Sequence, residues 1–130
     1  MNPISAISLS GLSAATRRVQ ASASNIANMR SNGALAIADG PAPYTPLEVR
    51  QAPMASGGVA ASLAPSSRAA VLSYDPQAHF ANADGYVASP NVDLVDDMLQ
   101  LATTRYSFAA NLAVIHTAND MTNAVLDVRA

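Results

Sequence analysis

The sequence predicts a mainly α chain with a small β module: two long terminal helices paired in a coiled-coil-like bundle around a short β or irregular middle. Three observations lead there. Apolar residues recur at helical spacing toward both ends. Most of the eight prolines and five of the six glycines fall between residues 31 and 90. The apolar content is rich in alanine and poor in rings: hydrophobic residues make up 50% of the 130 positions, aromatics only 5%, and tryptophan is absent. A bulky compact core is therefore hard to build, while close helix contacts are easy.

The first element is an amphipathic helix over residues 2 to about 29. Asn2 can cap it and Pro3 suits the first helical position. Ile4, Ser8, Leu12, Ala15, Val19, Ser22, Ile26 and Met29 recur at spacings of four and three, a thin stripe of mostly small residues. Arg30 complements the helix dipole, and Asn32-Gly33 offers a stop.

Residues 31 to 90 carry turn signals, Asp39-Gly40-Pro41 and Gly57-Gly58 among them. Within them Tyr44 to Ala52, Gly58 to Leu63 and Arg68 to Tyr74 read as strands of a small antiparallel unit. The last element is a helix from about Asn91 to Val128, roughly 55 Å long at about 1.5 Å per residue. Leu94, Met98, Leu101, Phe108, Leu112, Ile115 and Leu126 keep a near-heptad spacing along it. Asp93, Asp96 and Asp97 sit in its first turns, where the dipole favours negative charge. The division that follows is a terminal-helix unit, 1–30 with 91–130, and a module, 31–90. An ordinary two-helix domain capped by a hairpin shares this pattern. Stripes of alanine and serine yield little transfer energy, about 25 cal/mol per Å², against an ordering cost of about 1–2 kcal/mol per residue. Such helices are expected to be marginal until neighbours cover them.

Composition excludes several classes. All seven cationic residues are arginines scattered along the chain, and the net charge is −2, which is no nucleic-acid footprint. Without cysteine there are no disulfides or thiolate metal sites. A cleaved signal peptide is not expected, because no cation precedes the serine-interrupted apolar run and Arg17-Arg18 follow it. No stretch of about 18 apolar residues could span a membrane. His116 with Asp120 one turn on could form a metal or acid–base pair, but two groups on one helix do not make a site, and no metal or cofactor is expected. The three aspartates lack the alternating ligand loop of a calcium hand.

Motifs carry the rest. Asn25 and Asn28, within Ser22-Ala23-Ser24-Asn25-Ile26-Ala27-Asn28, lie three apart near a helix end. There their amides can satisfy backbone carbonyls or bond a neighbouring helix. Tyr74-Asp75-Pro76, Asp84-Gly85-Tyr86-Val87, Pro90-Asn91-Val92-Asp93 and Ala110-Asn111 follow in order. Mechanically, Asp84-Gly85 makes a turn, Pro90 forces an extended entry, and Asn91 or Asp93 caps the last helix.

In content and order these strings resemble the flagellar rod and hook axial protein family, in its FlgC type, over roughly residues 2–30 and 74–128. The matched positions are Ser22, Asn25, Ala27, Asn28, Gly85, Tyr86, Pro90, Asn91, Met98, Phe108, Ala110 and Asn111. Two departures stand out: an arginine at Arg105 and a phenylalanine at Phe108 where the family pattern has arginine two residues before a tyrosine, and Gly33-Ala34-Leu35 in place of a glycine-tyrosine turn. The resemblance implies a non-catalytic component of the periplasm-spanning basal-body rod, exported through the flagellar apparatus without a cleaved signal. Its partners would be copies of itself and other rod proteins, and its packing residues Leu12, Val19, Ile26, Leu94, Leu101, Leu112, Ile115 and Leu126. A soluble coiled-coil adaptor or secretion-associated binding module is the competing reading.

Overall fold

The computed structural model describes residues 3–35 and 40–128; the expected cap Asn2 and the turn residue Asp39 lie outside them. The fold is two helices flanking two small antiparallel sheets. In chain order the elements are α1 (Pro3–Asn28), β1 (Leu47–Pro53), β2 (Val59–Pro65), β3 (Ala70–Tyr74), β4 (Tyr86–Pro90) and α2 (Leu94–Asp127).

Helix α1 begins at Pro3, whose fixed φ suits a first turn. Beyond Asn28 the chain turns away: Ser31 N–H donates to the Asn28 carbonyl (2.9 Å). Gly33 is not a left-handed stop, since only Gly57, Gly58 and Gly85 have positive φ among the described residues. Instead it bridges Ala88 through two backbone bonds of 2.9 Å. A Cβ at Gly33 would overlap the Pro41–Pro43 backbone. Helix α2 is capped by Asp93, whose Oδ1 accepts from Val95 N–H (2.9 Å) and Asp96 N–H (3.2 Å), with Asp96 and Asp97 in the first turn.

Strands β1 and β2 form one hairpin, Leu47 opposite Pro65 and Pro53 opposite Val59. Strands β3 and β4 form the other, Ala70 opposite Pro90 and Tyr74 opposite Tyr86. Strand β4 lies where the sequence pattern predicts a turn and a helix entry over 84–90. Its alternation is short, and it becomes a strand because β3 and Gly33 pair with its two edges.

The two helices run antiparallel. Gly11 meets Asn111, Ile4 lies beside Ala118, and Thr16 and Val19 share a groove with Leu101, Thr104 and Phe108. The seam is built from small and polar residues: Ser8, Ala14, Ala15, Ala21, Ser22 and Asn25 are buried on α1, Thr104 and Ala118 on α2. Ser8, Ala15 and Ser22 repeat every seven residues, as do Thr104, Asn111 and Ala118, which is the coiled-coil spacing. The expected apolar stripes are only partly that seam. Leu12, Ile26, Leu94, Leu101 and Ile115 are half-buried, whereas Val19, Leu112 and Leu126 are exposed. The α2 seam runs through Asn111, so the stripe through Leu112 is rotated away from it by one residue, about 100°.

Candidate assembly surface

Gly11 sets how closely the helices approach. A Cβ there would come within 2.5 Å of Asn111 Oδ1 and 2.8 Å of its Nδ2, so the Asn111 amide occupies the space a larger residue would fill. The amide is held by its own helix, Nδ2 donating to the Ser107 carbonyl (2.8 Å). Close approach through small residues leaves little apolar area in the seam. Each alanine there removes roughly one methyl from water, about 0.8 kcal/mol. Thr104, 1% exposed, keeps a hydroxyl with no hydrogen-bond partner among the described residues, which costs about 1–3 kcal/mol.

The large side chains lie outside. On α2, Met98, Leu99, Tyr106, Leu112, Met121, Val125 and Leu126 are all exposed, Leu126 at 61%. Phe108 is 42% exposed, at the groove it shares with Val19. Ile4, near the start of α1, shares a groove with Ala118, Met121, Thr122, Val125 and Leu126 in the last turns of α2. No described helix is long and apolar enough to cross a membrane.

The module is clipped to α1 at two points. Asn25, 7% exposed, donates from Nδ2 to the Leu47 carbonyl (3.0 Å) and accepts at Oδ1 from Leu47 N–H (2.8 Å). The Tyr44 hydroxyl lies 3.1 Å from the same Oδ1 and 2.9 Å from Ser24 Oγ. At the other end of the hairpin Ser10 Oγ accepts from Val59 N–H (3.1 Å) while donating to the Ile7 carbonyl (2.6 Å). Gly57 and Gly58, both at φ +85°, turn the hairpin over Ile7 and Ser10. Ser10 and Asn25 are about 22 Å apart along the helix and β1 is about 20 Å long, so the hairpin lies along α1 end to end. Arg18 adds a bond to Gln51 Oε1 (3.1 Å) midway.

The motif residues therefore divide. Ser22 and Asn25 are buried between α1 and its neighbours. Asn25 bonds the module rather than a neighbouring helix, and Asn28 caps its own helix, donating to the Ser24 carbonyl (2.9 Å). Gly85, at φ +80°, closes the β3–β4 turn under the Tyr74 ring. Tyr86 packs edge-on against Tyr74, centroids 5.4 Å apart. Buried Pro90 ends β4, and Asn91 N–H donates to the Ala69 carbonyl (3.2 Å). Ala27, Met98 and Ala110 are exposed. His116 and Asp120 are exposed, and no group of three or more potential metal ligands occurs among the described residues.

Three further positions matter beyond those the sequence pattern singles out. Gly11, an isolated glycine inside a helix, was a legible sign of close backbone approach. Ser10 carried no signal. Asn82, whose Oδ1 accepts from Asp84 N–H (3.1 Å) and Tyr86 N–H (2.8 Å), is the asparagine turn that Asp84-Gly85 implied only in part.

Residues 83–128 match the family model described as flagellar basal body rod FlgEFG protein C-terminal. The chain is 37% identical over 118 residues to the flagellar basal-body rod protein FlgC of Salmonella typhimurium, covering 86% of this chain and 85% of that one. Against the protein of the same name from Escherichia coli O157:H7 it is 36% identical over the same span. Against that of Agrobacterium fabrum it is 30% identical over 142 residues, covering 98% of this chain and 96% of the relative.

Proposed function

We propose, from the premise that the chain belongs to the FlgC family of flagellar basal-body rod proteins and is a structural component of the basal body, that the outer faces of its terminal helices build it into the rod. The observation carrying this reading is the inverted placement of side chains: the fully buried residues of the helix pair are small or polar, while many of its large apolar side chains stay exposed. Fully burying a leucine or methionine contributes about 1.5–3 kcal/mol, so such a subunit gains more from neighbours than from its own seam. A head-to-tail contact that does not close on itself propagates as a helical assembly. Residues 1–30 and 91–130 then form the rod core with copies of the chain and other rod proteins, and 31–90 an outer module. The chain reaches this position through the flagellar export apparatus, and the absence of cysteine and the light seam both suit passage unfolded.

The test is complementation of a deletion strain with Leu112→Asp and Leu126→Asp. Swimming is expected to be lost in both while the chain is still exported and the purified variants keep the parent circular dichroism spectrum. Normal swimming in both variants overturns the assignment of assembly to these faces.

A further inference from the structure

In an antiparallel pair, alternate residues aim their N–H and C=O at the partner strand or away from it. Asp75 N–H donates to the Gly85 carbonyl (2.9 Å) and Asn91 N–H to the Ala69 carbonyl (3.2 Å). This phase puts the odd-numbered residues of β3 on its inner side and turns Ala70, Leu72 and Tyr74 outward. The opposite edge of the same sheet is closed. Tyr86 exchanges bonds with Asn82 (2.8 and 3.0 Å), Ala88 exchanges two with Gly33 (2.9 Å each), and Pro90 has no N–H to satisfy. The β1–β2 hairpin is closed at its ends: Asn25 takes both outward groups of Leu47, Ser10 takes Val59 N–H, and Pro53 and Pro65 lack donors. Charged Glu48 and Arg50 guard β1 besides.

Strand β3 has none of these devices. Its sequence, Ala-Val-Leu-Ser-Tyr, carries no charge and no proline, and among the described residues no hydrogen bond reaches the outward groups of Ala70, Leu72 or Tyr74. Leu72 and Tyr74 share one face and are each 67% exposed. Open, uncharged edges of this kind pair with other chains, and soluble proteins normally blunt them.

We propose that the outer edge of β3 is a strand-addition site that takes an extended backbone segment of a neighbouring axial subunit. The occupant follows from the edge. Three consecutive outward residues, each offering one donor and one acceptor, are matched by another extended backbone. A helix spends those groups internally. Apolar side chains at alternate positions of the added strand cover Leu72 and Tyr74. The neighbour is an axial subunit because only residues 91–93 separate β4 from α2, so the hairpin travels with the helix face that assembly covers; in this the inference rests on the rod reading above.

The test uses the full-length chain in a complemented deletion strain, with a photo-reactive phenylalanine analogue in place of Tyr74 and, as control, of Gln51, whose side chain is turned onto α1 by its bond from Arg18. After irradiation, basal bodies are purified and adducts mapped by mass spectrometry. The expected result is an adduct from position 74, absent from position 51, on a non-helical segment of another rod subunit. Leu72→Pro, which removes an outward N–H without touching the β3–β4 ladder, lowers the adduct yield about fivefold or more, the weight of one net hydrogen bond. Leu72→Val leaves it within about twofold. Chain present in basal bodies with no adduct from position 74, an adduct mapping to a helix, or equal yield from Leu72→Pro and Leu72→Val overturns the proposal and leaves the rod reading intact. Chain absent from basal bodies overturns both.

Discussion

The two helices read alike as sequence and behave differently as structure. Helix α1 is clothed on two sides: α2 lies on one and the β1–β2 hairpin on another, and six of its 26 residues are buried. Helix α2 is longer, 34 residues, yet buries only two, and α1 is its one extensive contact among the elements. Both carry apolar residues at spacings of three and four. On α1 part of that pattern is used within the chain; on α2 most of it is left facing outward. One helix is thus the scaffold on which the subunit is organised, and the other is the surface it presents.

Substitutions can break that contrast, and the largest expected effect is at the crossing. Gly11→Leu forces a side chain into the Asn111 amide and costs on the order of 3 kcal/mol, enough to unfold so lightly packed a pair. Circular dichroism should show most helicity lost, and adding Asn111→Ala should restore part of it by vacating that space. An undisturbed spectrum for Gly11→Leu alone would mean that the helices do not approach through this position. Next comes Asn25→Ala, which strands both backbone groups of Leu47 in a buried site for about 2 kcal/mol. Hydrogen exchange at Leu47 should accelerate while amides in the centre of α2 stay protected. Equal acceleration in both would show that the module and the helix pair melt as one unit. The smallest effect is expected of Ser10→Ala, about 1 kcal/mol, read as faster exchange at Val59 with swimming retained.

How much of this was legible beforehand depends on the range of the interaction. Local chemistry was plain: Pro3 at a first turn, a cap at Asn91 or Asp93 that proves to be Asp93, a turn at Asp84-Gly85 where Gly85 takes a positive φ, and both helices to within a few residues. These depend on a few neighbouring residues and their backbone preferences. Strand β4 was not legible, because its pairing needs Gly33, some fifty residues away, to close one edge. Nor was the role of Asn25, a helix-end asparagine by its spacing and a clamp on Leu47 by its surroundings.

By itself the sequence determined the two helices, the turn-rich middle and, through ordered motifs from Ser22 to Asn111, the family. Helical period, capping chemistry and short signatures are properties of consecutive residues. Only the tertiary structure decided which side of each helix is the inside. Spacing specifies a stripe, but rotation about the axis is set by what fits between two backbones, and here Gly11, the alanines and Asn111 fit closest. The large side chains were thereby turned outward, and the same pairing of distant segments closed three strand edges in whole or part and left that of β3 open.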